Sequence, residues 1–253
     1  MRRLILIFLI VFSLFLPYRA YPYWIWTPKT GRWVNPKYAV RPTPAEQLEY
    51  AQIFYEEKNY KEAKREFRKL IQYYPKSSEA AEAQYYLALS EEVEDNLYEA
   101  YLAYQKVIDK YPFSERIQEI IEKEYRIAEI FMGGKTRKAL GITLPVENPA
   151  IEIFNKVIEN STYGPLAASA QYKLGLVLKG LGRFFEAEEE FRKVISNYPN
   201  SEWIEAAKYQ IASCRASISK GPDYDQEAAS EAKNKFEEFI REHPDAALSR
   251  EAE

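Results

Sequence analysis

The chain has 253 residues, of which 47% are hydrophobic and 29% charged, with 35 Lys and Arg against 38 Asp and Glu. This composition excludes a disordered chain and a polybasic nucleic-acid binder, and it predicts a folded body. The single Cys214 and the single His243 exclude a disulfide framework, Cys/His zinc sites and most Ser-His-Asp chemistry. The 9 glycines are about half the usual frequency of roughly 7%, which disfavours phosphate loops and favours helix.

The first twenty residues have the features of a targeting segment. Two arginines precede an apolar run from Leu4 to Leu16, the order found in secretory signals. This run is shorter than the about 17 to 25 residues of a membrane span. Residues 1–20 are therefore predicted to be a signal peptide or an N-terminal anchor, and the chain is predicted to be exported. Cleavage after Ala20 would leave Tyr18 where a small residue is preferred, so both alternatives stay open.

Residues 21–43 are rich in proline and aromatic side chains. Six of the 14 prolines lie between Pro17 and Pro44, which predicts an extended, irregular strap. The aromatic stretch from Tyr21 to Trp26 has two interpretations. Its rings are expected either at a membrane headgroup interface or as a cap on the first helices.

A pattern then recurs along the chain. An alanine is followed by an aromatic residue four positions later and by hydrophobic residues seven and eight positions later. In four of the five copies, proline follows at position twelve. These offsets place the side chains on one stripe of an α-helix, which the proline ends. The stripe residues are predicted to pack the helices of the repeats together; they are Ala63, Phe67, Ala100, Tyr104, Ala150, Phe154, Ala187, Phe191, Ala232 and Phe236.

A small residue stands twelve positions before three of these alanines, at Ala51, Ala88 and Gly175, where it lets a neighbouring helix approach. Together these features resemble the tetratricopeptide repeat, a pair of antiparallel helices that cannot bury its apolar face alone. The predicted fold is all-α, a tetratricopeptide-repeat superhelical solenoid of about five helical hairpins over residues 44–253. The hairpins are expected near 44–73, 77–110, 114–160, 164–197 and 201–242, with a loop at 132–147 and a partial capping helix at 245–253.

Tyrosines that share one position on the first helices of successive hairpins form a candidate peptide-binding row, here called the ladder. In tetratricopeptide arrays these helices line the concave surface, so a row of tyrosines there is expected to grip an extended peptide. The alternative is that the rings pack against the neighbouring repeat. The candidates for this face are Tyr85, Tyr125, Tyr172 and Tyr209, together with Gln52 and Glu82.

No group of residues offers a nucleophile with a base, a metal site or a phosphate cradle, so no enzymatic activity, metal or cofactor is predicted. Gly134-Lys135-Thr136 mimics the end of a phosphate loop. However, Glu129 stands where that loop requires glycine.

The leader, the strap and the Tyr-Pro helix ends resemble the BamD family of outer-membrane assembly factors and, more distantly, the CpoB/YbgF periplasmic family. The closest local matches are residues 60–75 and 184–199. The BamD resemblance implies a non-catalytic periplasmic scaffold that docks on an Omp85 (BamA)-type barrel protein and helps to recruit nascent outer membrane proteins.

One residue departs from the BamD pattern. BamD proteins are usually lipidated on a Cys directly after the leader, and the only Cys here is Cys214. Attachment to the outer membrane is therefore expected through the leader or through protein partners. The alternative function is that of a periplasmic adaptor for cell-wall, Tol-Pal or polysaccharide export machinery.

Overall fold

The computed structural model describes residues 24–27, 31–35, 39–136, 138–139, 142–143, 147–218 and 226–242. These residues form ten α-helices and two short antiparallel β-hairpins. The helices are α1 (Pro44–Glu56), α2 (Tyr60–Tyr73), α3 (Ser78–Val93), α4 (Leu97–Lys110), α5 (Ile117–Met132), α6 (Pro149–Asn160), α7 (Ala167–Gly180), α8 (Phe184–Asn197), α9 (Ile204–Ile218) and α10 (Gln226–Glu242). The strands are β1 (Ile25–Thr27), β2 (Arg32–Val34), β3 (Lys138–Ala139) and β4 (Ile142–Thr143).

The ten helices pair in chain order into five helical hairpins, and each hairpin packs on the next. The predicted all-α tetratricopeptide-repeat fold is confirmed. None of the helices that the structure describes is long and apolar enough to cross a membrane. The predicted leader at 1–20 and the capping helix at 245–253 lie outside the described residues.

Short-range hydrogen bonds fix where the helices begin and end. Thr43 and Ser77 each accept a hydrogen bond of 3.2 Å from the backbone three residues later, which satisfies a free N–H of α1 and of α3. Pro75, Pro112 and Pro199 stand two residues after α2, α4 and α8, where a helix cannot continue. The helix bounds therefore follow from local sequence.

The stripe residues of the first four hairpins form the core, as the repeat pattern predicts. All of them have 0% exposed surface: Ala63, Phe67, Ala100, Tyr104, Ala150, Phe154, Ala187 and Phe191. In the fifth hairpin Phe236 is half-buried, and its ring lies 5.7 Å from that of Tyr209. The side chain of Ala232 lies outside the described set.

The small residues on the first helices allow close helix packing. A Cβ atom on Gly175 would lie 2.6 Å from the ring of Phe191, so only glycine fits there without displacing the ring. Ala51 and Ala88 are fully buried at the same position of the first two hairpins. Ala128 and Ala212 occupy it in the third and fifth. The sequence analysis missed these last two because insertions change their distance from the stripe alanine.

Two segments that were predicted to be irregular contain β-hairpins. In the strap, β1 and β2 pair Trp26 with Trp33, and Gly31 takes a left-handed φ of 62° at the turn. In the expected loop at 132–147, β3 and β4 pair Lys138 with Thr143. The strap was predicted to be irregular because of its prolines, but neither β1 nor β2 contains a proline.

Candidate partner-binding surface

The tyrosine ladder (Tyr85, Tyr125, Tyr172 and Tyr209) belongs largely to the hydrophobic core. The rings of Tyr85, Tyr125 and Tyr172 are 3%, 9% and 8% exposed. Each lies against the aromatic residue of the second helix in its own hairpin, with ring centroids 5.5 to 6.0 Å apart. Tyr209 is half-buried and packs on Phe236. Packing covers the faces of the three buried rings, which favours the alternative that they belong to the core, and their role in peptide binding stays a prediction.

The hydroxyl groups of two ladder tyrosines link their helical hairpins to the next. Tyr85 donates a hydrogen bond to Glu119, and Tyr125 and Ser169 share another, in each case on the first helix of the following hairpin. The link between Tyr125 and Ser169 has an O–O distance of 2.6 Å. Burial raises the pKa of Tyr85 and Tyr172, so both hydroxyls stay protonated. The ladder therefore sets the register between successive first helices.

Cations from the following hairpin lie over two of the ladder rings. The Arg116 guanidinium is 4.7 Å from the ring centroid of Tyr85, and the Lys173 ammonium is 4.8 Å from that of Tyr125. Arg116 also donates to the Glu82 carboxylate at 2.7 Å. This hydrogen bond is the main cause of a raised pKa of Arg116. Glu82, a predicted binding residue, is thus already held in an ion pair between hairpins.

The residue before the ladder position is polar and buried in the first four hairpins. Gln47, Gln84, Glu124 and Gln171 hold this position, with 0% to 4% of their surface exposed. Gln84 donates to the carbonyl of Ala103 at 3.0 Å, which joins the two helices of its hairpin. Gln52, the other polar candidate on α1, is half-buried.

Glu124 is the one carboxylate in this series. Its Oε2 accepts a hydrogen bond of 2.7 Å from the Gln105 amide on α4. Its Oε1 is buried and has no hydrogen-bond partner within the described part of the chain. Burial raises the pKa of Glu124 to about 8, with the Gln105 hydrogen bond opposing the shift. At neutral pH this side chain is therefore largely a neutral acid.

Glu188 on α8 is a second buried carboxylate with a different environment. It accepts hydrogen bonds of 2.7 Å from Arg192 and 2.8 Å from Arg215, which lies on α9. Burial alone would raise the pKa of Glu188, but hydrogen bonds from Arg215 and Arg192 lower it below its usual value. This ion pair ties the fourth hairpin to the fifth.

An open cleft of about 950 Å³, here called the junction cleft, lies where the second hairpin meets the third. It is bounded by the turn before α3 and the turn between α4 and α5. Helices α4 and α5 touch over a shorter stretch than any other two consecutive helices in the described chain. The cleft lining includes Lys76, Glu82, Lys110, Phe113, Arg116 and Glu119. Among the residues predicted to bind a partner, only Glu82 lies in it.

Exposed aromatic rings mark this edge of the solenoid. Phe113 is 99% exposed at the mouth of the junction cleft, and Tyr163 is 91% exposed in the equivalent turn between the third and fourth hairpins. The sequence analysis overlooked both because it searched helical positions and these rings lie in turns. Such rings, beside cations and carboxylates, suit an extended peptide with apolar and charged side chains.

The described residues give little support to bond-breaking chemistry at this surface. They hold no cluster of three His, Cys, Asp or Glu side chains that would bind a metal ion. Cys214 is fully buried, and burial raises the pKa of its thiol to about 11, which makes it a poor nucleophile. His243 lies beyond the described residues.

Two stretches of the chain, residues 48–115 and 169–201, match family models described as tetratricopeptide repeat. Among solved structures, the MamA protein is 18% identical, with 79% of this chain and 92% of that chain covered and a TM-score of 0.41. A tetratricopeptide repeat protein from Parabacteroides merdae is 16% identical, with coverages of 83% and 70% and a TM-score of 0.40.

The C-terminal part of a repeat-containing protein from Cytophaga hutchinsonii is 19% identical, with coverages of 83% and 71% and a TM-score of 0.45. No curated protein matches the chain. Identities and TM-scores this low do not indicate a function. The matched stretches and the ten helices together give the chain the tetratricopeptide-repeat fold, whose usual role is that of a protein–protein interaction scaffold.

Proposed function

We propose that the protein is a non-catalytic scaffold of the bacterial cell envelope that assists the assembly and insertion of β-barrel outer membrane proteins, as BamD proteins do. The observation that carries the proposal is the junction cleft with the fully exposed ring of Phe113 at its mouth. The apolar leader at 4–16, which is typical of exported proteins, supports a place in the envelope.

The chemistry of the cleft suits one strand of an unfolded barrel protein. Transmembrane β-strands alternate apolar with polar side chains. The ring of Phe113 offers an apolar contact, while Lys76 and Lys110 offer positive charge and Glu115 offers negative charge close by. Covering an exposed Phe side chain contributes about 1.5 to 3 kcal/mol. An extended segment of alternating character therefore finds both kinds of contact in the junction cleft.

Site-specific photocrosslinking in intact envelopes tests the proposal. A photoreactive phenylalanine replaces Phe113 in one variant and Phe185 in the other. Phe185 is the control because it is also exposed, at 75%, but lies on α8 outside the cleft. We expect the probe at position 113 to capture an Omp85-type protein or nascent barrel proteins, and the probe at position 185 not to do so.

Two outcomes would contradict this function. Equal capture from both positions would show that the cleft is not the binding surface. Capture of only cell-wall, Tol-Pal or polysaccharide export proteins from position 113 would keep the cleft and favour the adaptor alternative. Where position 113 captures a specific partner, Phe113→Ser is expected to weaken binding of that partner about 10-fold or more, as loss of a central aromatic contact usually does.

A further inference from the structure

The N-terminal part of this chain is basic, and the rest of the chain is acidic. All 38 Asp and Glu residues lie at position 46 or later. Residues 17–45, here called the basic segment, contain five cations and no carboxylate: Arg19, Lys29, Arg32, Lys37 and Arg41. Two more arginines precede this segment, so residues 46–253 carry a net charge of −10. The basic segment and the acidic solenoid therefore respond oppositely to a negatively charged surface.

Within the basic segment, the β1–β2 hairpin exposes a set of large side chains. Trp26 and Trp33 pair across the two strands, with ring centroids 5.8 Å apart in an edge-to-face arrangement. Trp24 precedes Trp26 by two residues and so falls on the same side of the ribbon. The three indoles are 60%, 47% and 62% exposed in chain order, and Ile25 is 48% exposed. We call Trp24, Ile25, Trp26 and Trp33 the aromatic ribbon.

The far end of the basic segment is fixed to the solenoid. The backbone N–H of Arg41 donates to Gln47 on α1 at 2.8 Å, and its carbonyl accepts from the Tyr74 hydroxyl at 2.6 Å. The Arg41 guanidinium also lies 3.9 Å from the ring centroid of Tyr50. Seven residues lead from Val34 to Arg41, a span of at most about 25 Å. The aromatic ribbon therefore stays close to the first helical hairpin.

We propose that the aromatic ribbon docks on the surface of a bilayer that contains anionic phospholipid. Indole rings are favoured at the membrane–water interface because they are apolar with one polar edge. Each Lys or Arg near an anionic bilayer strengthens binding by about 1 kcal/mol, or roughly fivefold. The solenoid, with a net charge of −10, is repelled by the same surface and projects away from it.

Anionic lipid fits this segment better than other ligands of aromatic surfaces. A neutral glycan would stack on the indoles but would form no ion pair with the cations of the basic segment. A second copy docked ribbon to ribbon would bring two basic segments together, and their like charges would repel. A lipid surface uses both features, and its binding does not depend on which protein the junction cleft takes.

Tryptophan fluorescence of the full chain tests the docking directly. The chain has four tryptophans, so Trp203→Phe leaves only the three indoles of the aromatic ribbon as reporters. The protein is mixed with vesicles of phosphatidylcholine and phosphatidylglycerol, or of phosphatidylcholine alone. We expect the emission to shift to shorter wavelength, and lipids brominated near the headgroup to quench it, more strongly in the anionic vesicles. Added salt should reduce the difference.

These readouts separate docking of the ribbon from insertion of the leader. If anionic vesicles sediment with the protein but the indoles stay open to an aqueous quencher, the leader alone holds the chain and the proposal is wrong. It is also wrong if both kinds of vesicle bind equally, if neither binds, or if the indoles become protected in the absence of lipid through self-association.

Two variants test the two parts of the surface. Replacing the three ribbon tryptophans with Ser in the otherwise unchanged chain is expected to weaken vesicle binding at least 10-fold. Because this change also removes the Trp26–Trp33 pair, Arg32→Glu serves as a second variant that keeps every indole. It changes the charge by two and is expected to weaken binding to anionic vesicles by more than 10-fold. Unchanged binding of either variant would overturn the proposal.

Discussion

The junction between the second and third hairpins differs from the junction between the fourth and fifth. At the first, α4 and α5 touch over a short stretch and the junction cleft opens. Among the described residues, the buried Glu124 there accepts a hydrogen bond only from the Gln105 amide. At the second, α8 and α9 pack closely and the buried Glu188 is held by Arg192 and Arg215. The two carboxylates consequently have pKa values shifted in opposite directions.

This difference teaches that the same residue type stabilises one interface and weakens another according to its partners. A buried carboxylate without a cation opposes folding whenever it is ionised. Two guanidinium groups offset that cost at the fourth and fifth hairpins. Of these two junctions, the loosely packed one carries the fully exposed ring of Phe113.

The largest expected loss of stability comes from a substitution in the fourth hairpin, beside the tightly packed junction. Phe191→Ala removes a fully buried ring that fills the space above Gly175, and should lower the free energy of unfolding by about 3 to 5 kcal/mol. Hydrogen exchange should increase in α7 to α10 more than in α1 to α4, because the loose junction couples the two parts weakly. Phe185→Ala, on the same helix but exposed, is the control, and an equal loss in both variants would contradict this assignment.

The next largest expected effect is a pH-dependent change in folding stability caused by Glu124. The pKa of Glu124 is about 8 in the folded chain and about 4.3 in the unfolded chain, so ionisation increasingly destabilises the fold as pH rises between these values. Glu124→Gln removes this titration and should raise stability at pH 9 by about 2 to 4 kcal/mol, with little change at pH 4. Chemical denaturation of both proteins between pH 4 and pH 9 measures this difference in stability. Glu122→Gln, exposed on the same helix, should leave the profile unchanged.

The opposite profile is expected for Glu188. Because its pKa is lowered on folding, its contribution is present above the unfolded value of about 4.3 and is lost as pH falls through the folded value. Glu188→Ala leaves Arg215 without this partner and should cost about 2 to 3 kcal/mol at pH 7. Glu189→Ala, at an exposed neighbour, is the matched control. A cost that is the same at pH 3 and pH 7 would refute the role of this ion pair.

The smallest effect concerns the ladder hydroxyls. Tyr125→Phe keeps the buried ring but removes the 2.6 Å hydrogen bond to Ser169, and should cost about 1 kcal/mol. Tyr125→Ala should cost several times more, because the ring packs on Phe154. Thermal unfolding measures both. If Tyr125→Ala weakened partner binding without a change in the unfolding temperature, the peptide-binding interpretation of this ring would be supported.

Sequence reasoning located the helices and the stripe residues but not the junction cleft. The stripe residues Phe67 and Phe191 were found because their spacing is local and repeats along the chain. The exposure of Phe113 was not found, because it depends on how far α5 stands from α4. The ladder tyrosines were identified, but their sequence positions alone do not distinguish a groove from a core.

The sequence by itself determined that this chain folds as tetratricopeptide repeats, that α2, α4 and α8 end before a proline and that its acidic residues begin at position 46. These properties depend on helical periodicity, on the conformational limits of proline and on composition. Only the tertiary structure decided that three ladder rings are covered, that Glu124 makes no hydrogen bond to a cation among the described residues and that a cleft opens beside Phe113. Burial and electrostatic environment are set by residues distant in sequence, which meet only once the hairpins have packed.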